Sequence, residues 1–183
     1  RPAQAGVTVL RVQNLSLPRA DQVGVDLIDV EFEVKAGEVV GIAGVSGNGQ
    51  KELLYALSGE DQRADAASVQ VAGQNAGRMG PAQRRALGLH FVPEERLGRG
   101  AVPTMGLAHN LLLTRTNSVS GGGWIKVGAL QKHAEDIIRR FNVKAGGPHA
   151  AAKSLSGGNL QKFIVGREIL QAPALLVCAQ PTW

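Results

Sequence analysis

Aromatic side chains are scarce: Phe, Trp and Tyr together make up only 4% of the 183 residues. That is too few for a row of stacking platforms along single-stranded nucleic acid. Cysteine occurs once, at Cys178, which excludes an intrachain disulfide and fits a reducing compartment. Cys178 stands inside the apolar run 174–179, the setting of a buried small hydrophobe rather than of a nucleophile. Nowhere does an uninterrupted apolar run approach the ~20 residues that a membrane span needs. A dense basic stripe is missing too. The formal net charge is +5, but the cations are scattered, and the pairs Arg84–Arg85 and Arg139–Arg140 are isolated. Scattered charge reads as a solvated surface rather than as a track for nucleic acid.

What is present is enough apolar residue, 44%, to build a core. Residues 7–17 read as a strand stopped by Pro18. Residues 29–35 alternate, with Val30, Phe32 and Val34 on one face and Glu31, Glu33 and Lys35 on the other. Ala36-Gly37 is a turn. The run 39–43 is continuously apolar, which predicts a strand buried on both faces. A helix through Leu53, Leu54, Ala56 and Leu57 closes at Gly59. Short strands are expected at 68–72 and 89–92, with a helix opened by Pro81 between them. Residues 108–114 and 127–141 read as helical; in the second, Leu130, Ala134, Ile137, Ile138 and Phe141 form one apolar stripe. Between them Ser120 to Gly123 reads as a flexible loop. A helix to about Gln171, a stop at Pro173 and an apolar strand at 174–178 complete the series, the strand expected inside a sheet.

Gly44-Val45-Ser46-Gly47-Asn48-Gly49 lies between an apolar run and a helix, the placement that lets backbone N–H groups surround a phosphate. A full phosphate loop continues with Lys and Ser/Thr. Here those positions hold Gln50 and Lys51, so the cation and the metal-binding hydroxyl are both missing. One step along a helix turns a side chain by ~100°, so Lys51 is expected to point away from the loop. A second glycine-rich helix start, Leu155-Ser156-Gly157-Gly158-Asn159, again offers a hydroxyl and open N–H groups to an anion. The bland alternatives are a ligand-free tight turn for the first and a serine N-cap for the second.

Taken in order with the strand ending Ala179-Gln180-Pro181-Thr182, these motifs resemble those of an ABC-transporter ATPase domain. More closely, the chain resembles the second, degenerate ATPase half of bacterial importers for simple sugars and nucleosides. Val92-Pro93-Glu94-Glu95-Arg96 and Leu97-Gly98-Arg99-Gly100 lean toward the nucleoside branch. The resemblance implies an α/β, P-loop NTPase-like (RecA-like) core with an antiparallel β region and an inserted helical subdomain, truncated after the Walker B strand. It implies a lead-in at 1–6, a core at 7–95, a helical subdomain at 96–166 and a return to the core at 167–183. On it, Gly44, Ser46, Gly47, Asn48, Gly49, Gln50 and Lys51 form a degenerate Walker A that faces nucleotide. Ser156, Gly157, Gly158 and Asn159 form the signature, and Glu94 stands at the Q-loop position.

The departures shape the mechanism that the resemblance implies. The family's Walker B ends in Asp-Glu; here Ala179 and Gln180 replace the acid that helps hold Mg²⁺ and the acid that positions the attacking water. No aromatic follows Leu15-Ser16-Leu17 to stack on an adenine, and the family's switch His has no counterpart before Trp183. The expected function is an ATP-binding domain that hydrolyses little or nothing itself and lends its signature to the ATP site of an intact partner domain, with Mg²⁺ only weakly held. Expected partners are an intact ABC ATPase domain, transmembrane permease subunits and, indirectly, an extracytoplasmic solute-binding protein, with no nucleic acid. The expected place is the cytoplasmic face of the membrane. The alternatives are a self-sufficient ATP hydrolase and a basic nucleic-acid-binding module.

Overall fold

The computed structural model describes residues 6–115, 120–121 and 124–180. Most of the lead-in at 1–6 therefore lies outside the described residues, as do Gly122, Gly123, Pro181 and Thr182. The chain divides into two compact units, Arg1–His90 and Phe91–Trp183.

The first unit is built on an antiparallel sheet. Strand β1 (Thr8–Leu17) pairs with β2 (Leu27–Lys35) on one side and with β3 (Val69–Val71) on the other, and β4 (Gln74–Asn75) extends β3. Leu10, Val12, Leu15 and Leu17 are all buried, although strict alternation would turn Leu15 and Leu17 outward after Val12. The register shifts between Val12 and Leu15, and Asn14 takes a left-handed φ of 47° there. The irregularity absorbs one residue and keeps the apolar side chains on the core face. Opposite, Val30 and Phe32 are half-buried and Val34 is buried, while Glu31 and Glu33 are exposed, as the alternation predicts.

Helix α1 (Gln50–Ser58) buries Leu53, Ala56 and Leu57 and closes at Gly59. The short helix α2 (Pro81–Ala86) opens at Pro81, and the amide of Gly80 donates to Gln83 Oε1 at 3.0 Å. From α2 comes the main tie of this unit. Arg84 is completely buried and donates to the carbonyls of Met79 (2.9 Å), Leu57 (2.8 Å), Gly77 (3.1 Å) and Ala56. Two of these acceptors belong to the last turn of α1, where carbonyls lack partners within the helix and the helix dipole is negative. Burial pushes the Arg84 guanidinium down to about 10, so it stays charged at neutral pH.

Residues 39–43 correct the sequence reading: they form no strand. Val39 is 96% exposed and Ile42 54%, and no described strand pairs with the segment. Burial of a strand on both faces needs a ladder partner and cover from each side. Without these, composition alone does not make a strand.

In the second unit the strand β5 (Leu89–Val92), which spans the boundary, pairs with β8 (Leu175–Cys178). Between them come α3 (Leu107–Asn110), a 3₁₀ turn at Leu111–Leu113, α4 (Val127–Arg140) and α5 (Gly157–Ile169). Leu107, Leu111, Leu130, Ala134, Ile137, Leu160, Phe163 and Ile164 make the core, and the predicted stripe of α4 faces it. Of Ser120 to Gly123, expected as a loop, the described Ser120–Gly121 form a two-residue strand β6, paired antiparallel with β7 (Trp124–Ile125) just beyond the expected loop. The four residues of β8 are half-buried and pair with one described strand, so the expected burial inside a sheet is only partial. Cys178 packs against the core, and burial pushes its thiol up, away from the reactive thiolate. Among the described residues no helix is long and apolar enough to cross a membrane.

Replacing Arg84 by Met removes the donors while keeping much of the apolar volume. The four carbonyls are then left buried without it, and the expected loss is about 3 kcal/mol. Urea unfolding measures it; a loss below about 1 kcal/mol would show that water or other donors readily take over.

Candidate functional site

The predicted residues fall into two groups. Gly44 to Lys51 belong to the first unit, and Glu94, Ser156 to Asn159, Ala179 and Gln180 belong to the second.

In the first group the chain turns at Ser46 and Gly47 and enters α1 through Gly49, whose φ of 92° lies in the left-handed region. The carbonyl of Gly49 accepts from the Leu53 amide at 2.9 Å. Gln50, the first helical residue, does not project from the helix. Its Nε2 donates to the Val45 carbonyl at 3.0 Å, and its Oε1 accepts from the Asn48 amide at 3.1 Å. Lys51 turns the other way, with its Nζ 5.6 Å from the centre of the Tyr55 ring one helical turn on. Glu52 Oε1 accepts from the Val25 amide at 3.2 Å and anchors the approach to β2.

In the second group, α5 starts at an exposed Ser156-Gly157-Gly158. Ser156 is the N-cap. Its Oγ accepts from the Asn159 amide at 3.5 Å and from Asn159 Nδ2 at 2.9 Å. The Asn159 side chain is itself oriented, because its Oδ1 accepts from the Lys144 amide at 2.9 Å. With both N–H donors on Oγ, the hydroxyl proton of Ser156 points elsewhere. The helix end thus combines open N–H groups, the positive end of a 13-residue helix and a hydroxyl donor, which is what an anion needs.

Glu94 is exposed at the end of β5 and opens a tight turn. Within that turn Gly100 donates to the Glu95 carbonyl at 3.1 Å and Ala101 to the Arg96 carbonyl at 2.7 Å. The turn is pressed on α5: a β-carbon at Gly100 would come 2.8 Å from Ile164 Cδ1. From the turn Arg96 Nη2 donates to Gln161 Oε1 at 3.3 Å, and Gln161 Nε2 donates to the Gln180 carbonyl at 3.3 Å. One glutamine on α5 therefore joins the Glu94 turn to the end of β8. A shallow cavity of about 360 Å³ lies here, lined by Glu94, Glu95, Arg96 and Leu97 and by Leu155, Gly157 and Leu160. Ala179 continues the β5–β8 pairing, its amide donating to the Val92 carbonyl at 2.9 Å, and Gln180 follows with a left-handed φ of 44°.

Sequence reasoning did not find three of these links. Arg96 lies inside a named stretch and Gln161 two residues past another, but nothing in their spacing showed that they meet. The inward fold of the Gln50 side chain had no signal at all, since a glutamine at a helix start ordinarily faces water.

The ABC transporter family model matches residues 27–183. The guanosine import ATP-binding protein NupO of Bacillus subtilis is 36% identical over all of this chain and 36% of its own length. The glucose import ATP-binding protein TsgD13 of Haloferax volcanii is 40% identical over 97% of this chain and 32% of its own. The ribose import ATP-binding protein RbsA of Halalkalibacterium halodurans is 35% identical over 84% of this chain and 31% of its own. The chain thus spans about a third of the length of these relatives. Among solved structures, a nucleotide-free ATP-binding cassette from an ABC transporter superposes with a TM-score of 0.73 at 21% identity, covering 97% of this chain and 70% of that one. The chain belongs to the ABC transporter family and has the α/β fold of its ATP-binding cassettes.

Proposed function

We propose that this chain is an ATP-binding domain of an importer for nucleosides or simple sugars that does little or no hydrolysis at its own glycine loop. It contributes its signature, Ser156-Gly157-Gly158-Asn159, to nucleotide held by an intact partner ABC ATPase domain. The relatives' names supply the import of guanosine, glucose and ribose. The observation that carries the division of labour is the contrast between two helix starts. At α5 a serine hydroxyl and the N–H groups of an exposed Gly-Gly face outward. At α1 the loop is bridged by the Gln50 amide, and Lys51 lies over Tyr55.

The residues present do not fit a Mg²⁺–triphosphate at the chain's own loop. Gln50 offers an amide where a cation is needed and Lys51 no hydroxyl for a metal, and at the positions that match the family's Walker B acids the sequence has Ala179 and Gln180. Phosphoryl transfer depends on positioning and charge neutralisation, and losing one positioned donor costs ~10²–10³-fold in rate. The α5 end does fit an anion oxygen. In the proposed arrangement the core comprises 7–95 and 167–183, with 96–166 as the inserted helical subdomain. Glu94 and its turn face the permease subunits at the cytoplasmic side of the membrane, and a solute-binding protein presents the cargo from the far side.

The isolated chain is expected to release no phosphate from ATP above background. A steady turnover near ~1 s⁻¹, the low end of ordinary enzyme rates, would show a working site and favour the self-sufficient hydrolase.

Nucleotide affinity of the isolated chain is expected to be weak and insensitive to Mg²⁺. Calorimetry with ATP, with and without chelator, tests this; micromolar binding that collapses on chelation would reveal a metal site.

In the assembled transporter, Ser156→Arg is expected to abolish ATPase activity, because a bulky cation blocks a close-packed phosphate shell, while Ser156→Thr retains a hydroxyl and most of the rate. Full activity in Ser156→Arg would remove the signature from the working site.

A further inference from the structure

The bridge made by Gln50 has a specific shape. Its amide reaches back across the loop, from the first position of α1 to Val45 near the loop's entry and Asn48 near its exit. The oxygen on the Asn48 amide is a neutral, well-placed acceptor, the same kind of partner that a phosphate oxygen offers to a loop N–H. Gly44, itself exposed, shows where the amide sits. A β-carbon built there would stand 2.5 Å from Gln50 Nε2, so the volume above Gly44 belongs to the glutamine side chain.

We infer that Gln50 is an internal occupant of the loop: its side-chain amide fills the anion seat and keeps the phosphates of a nucleotide out. The inference rests on the reading of residues 44–51 as a phosphate-facing loop. A glutamine suits the task because one group both donates and accepts. A lysine has no acceptor for the Asn48 amide and would leave that N–H to a ligand. A glutamate would hold the Asn48 amide but lose the donation to Val45. An entering phosphate has to displace two exposed hydrogen bonds at the weak end of the ordinary net range, which together correspond to about tenfold in affinity. Lys51 offers no counterweight, because its ammonium lies over the Tyr55 ring.

The test uses the full chain with two anions, pyrophosphate and ATP, titrated by calorimetry without added metal. Amide hydrogen exchange at Asn48 is read in the absence of ligand. Gln50→Ala is expected to bind both anions about tenfold more tightly than the unaltered chain, and its Asn48 amide to exchange faster. Gln50→Glu, which keeps an acceptor at the seat and adds negative charge, is expected to bind no more tightly than the unaltered chain. Both changes in Gln50→Ala are required: unchanged or weaker anion binding, or unchanged exchange at Asn48, overturns the inference. Tighter binding by Gln50→Glu overturns it as well, since an anion then enters past a filled, negative seat. If Gln50→Ala does not fold, Gln50→Ser, whose side chain is too short to reach Val45, is read the same way. The two readings fail separately. Hydrolysis by the unaltered chain counts against the proposed function whatever Gln50→Ala does. An inactive chain whose Gln50→Ala variant binds no better counts only against the occupied loop.

Discussion

Arg167 and Glu168 are adjacent, both buried, and joined by a 2.7 Å bond from Nε to Oε1. Such a pair is costly to bury unless its remaining donors and acceptors are also satisfied. They are satisfied here by the chain around them. Arg167 Nη1 donates to the carbonyls of Gly100 (2.9 Å) and Asn110 (3.1 Å), and Thr114 Oγ1 donates to Glu168 Oε1 at 2.8 Å. The ends of the Glu94 turn and of α3 are thereby fixed to the last turns of α5. Asn110 extends the net, with its Oδ1 accepting from the Val102 amide at 2.7 Å. Removing one partner would strand the other, so the pair holds the turn, α3 and α5 in a single arrangement. The Arg96–Gln161–Gln180 link inherits its geometry from this arrangement.

The two glycine-rich helix starts face the same problem in opposite ways. Every helix leaves its first N–H groups without partners inside the helix. At α5 a serine cap takes one of them, and Asn159 steadies the cap, so the remaining donors stay open to an outside ligand. At α1 no side chain caps the first turn, and Gln50 instead reaches back into the loop before it. At the far end of α1 the buried Arg84 donates to the closing carbonyls, and just past α5 Arg115 Nη2 donates to the Leu170 carbonyl at 3.1 Å.

Much of this architecture was legible from local rules. Alternation marked β2, the 3.6-residue stripe marked α4, Pro81 and Gly59 marked a helix start and a helix end, and the serine before two glycines marked the opening of α5. These signals work because each is decided within one turn of helix or one strand pair. Residues 39–43 escaped them, since whether an apolar segment becomes a strand depends on distant ladder partners that composition does not reveal. The irregularity at Asn14 escaped for a related reason, being needed only to keep Leu15 and Leu17 facing a core built from elsewhere. The candidate site was legible as positions but not as contacts. Ser156 and Gln50 could be named from spacing, but the directions of their side chains are set by Asn159, Lys144, Val45 and Asn48.

The crowding at Gly44 bears on how this chain can drift over generations. A glycine in a phosphate loop is restrained because the ligand's oxygens come close to the backbone. Here the restraint has a second source, since the glutamine amide already lies 2.5 Å from the place of any β-carbon. Alanine at 44 would press on the far end of the Gln50 side chain, a flexible group that can turn aside at the expense of its bridge. Positions 44 and 50 are therefore coupled through this one side-chain contact. The glycine at the loop's entry thus serves the loop's internal packing as well as any approach of a ligand.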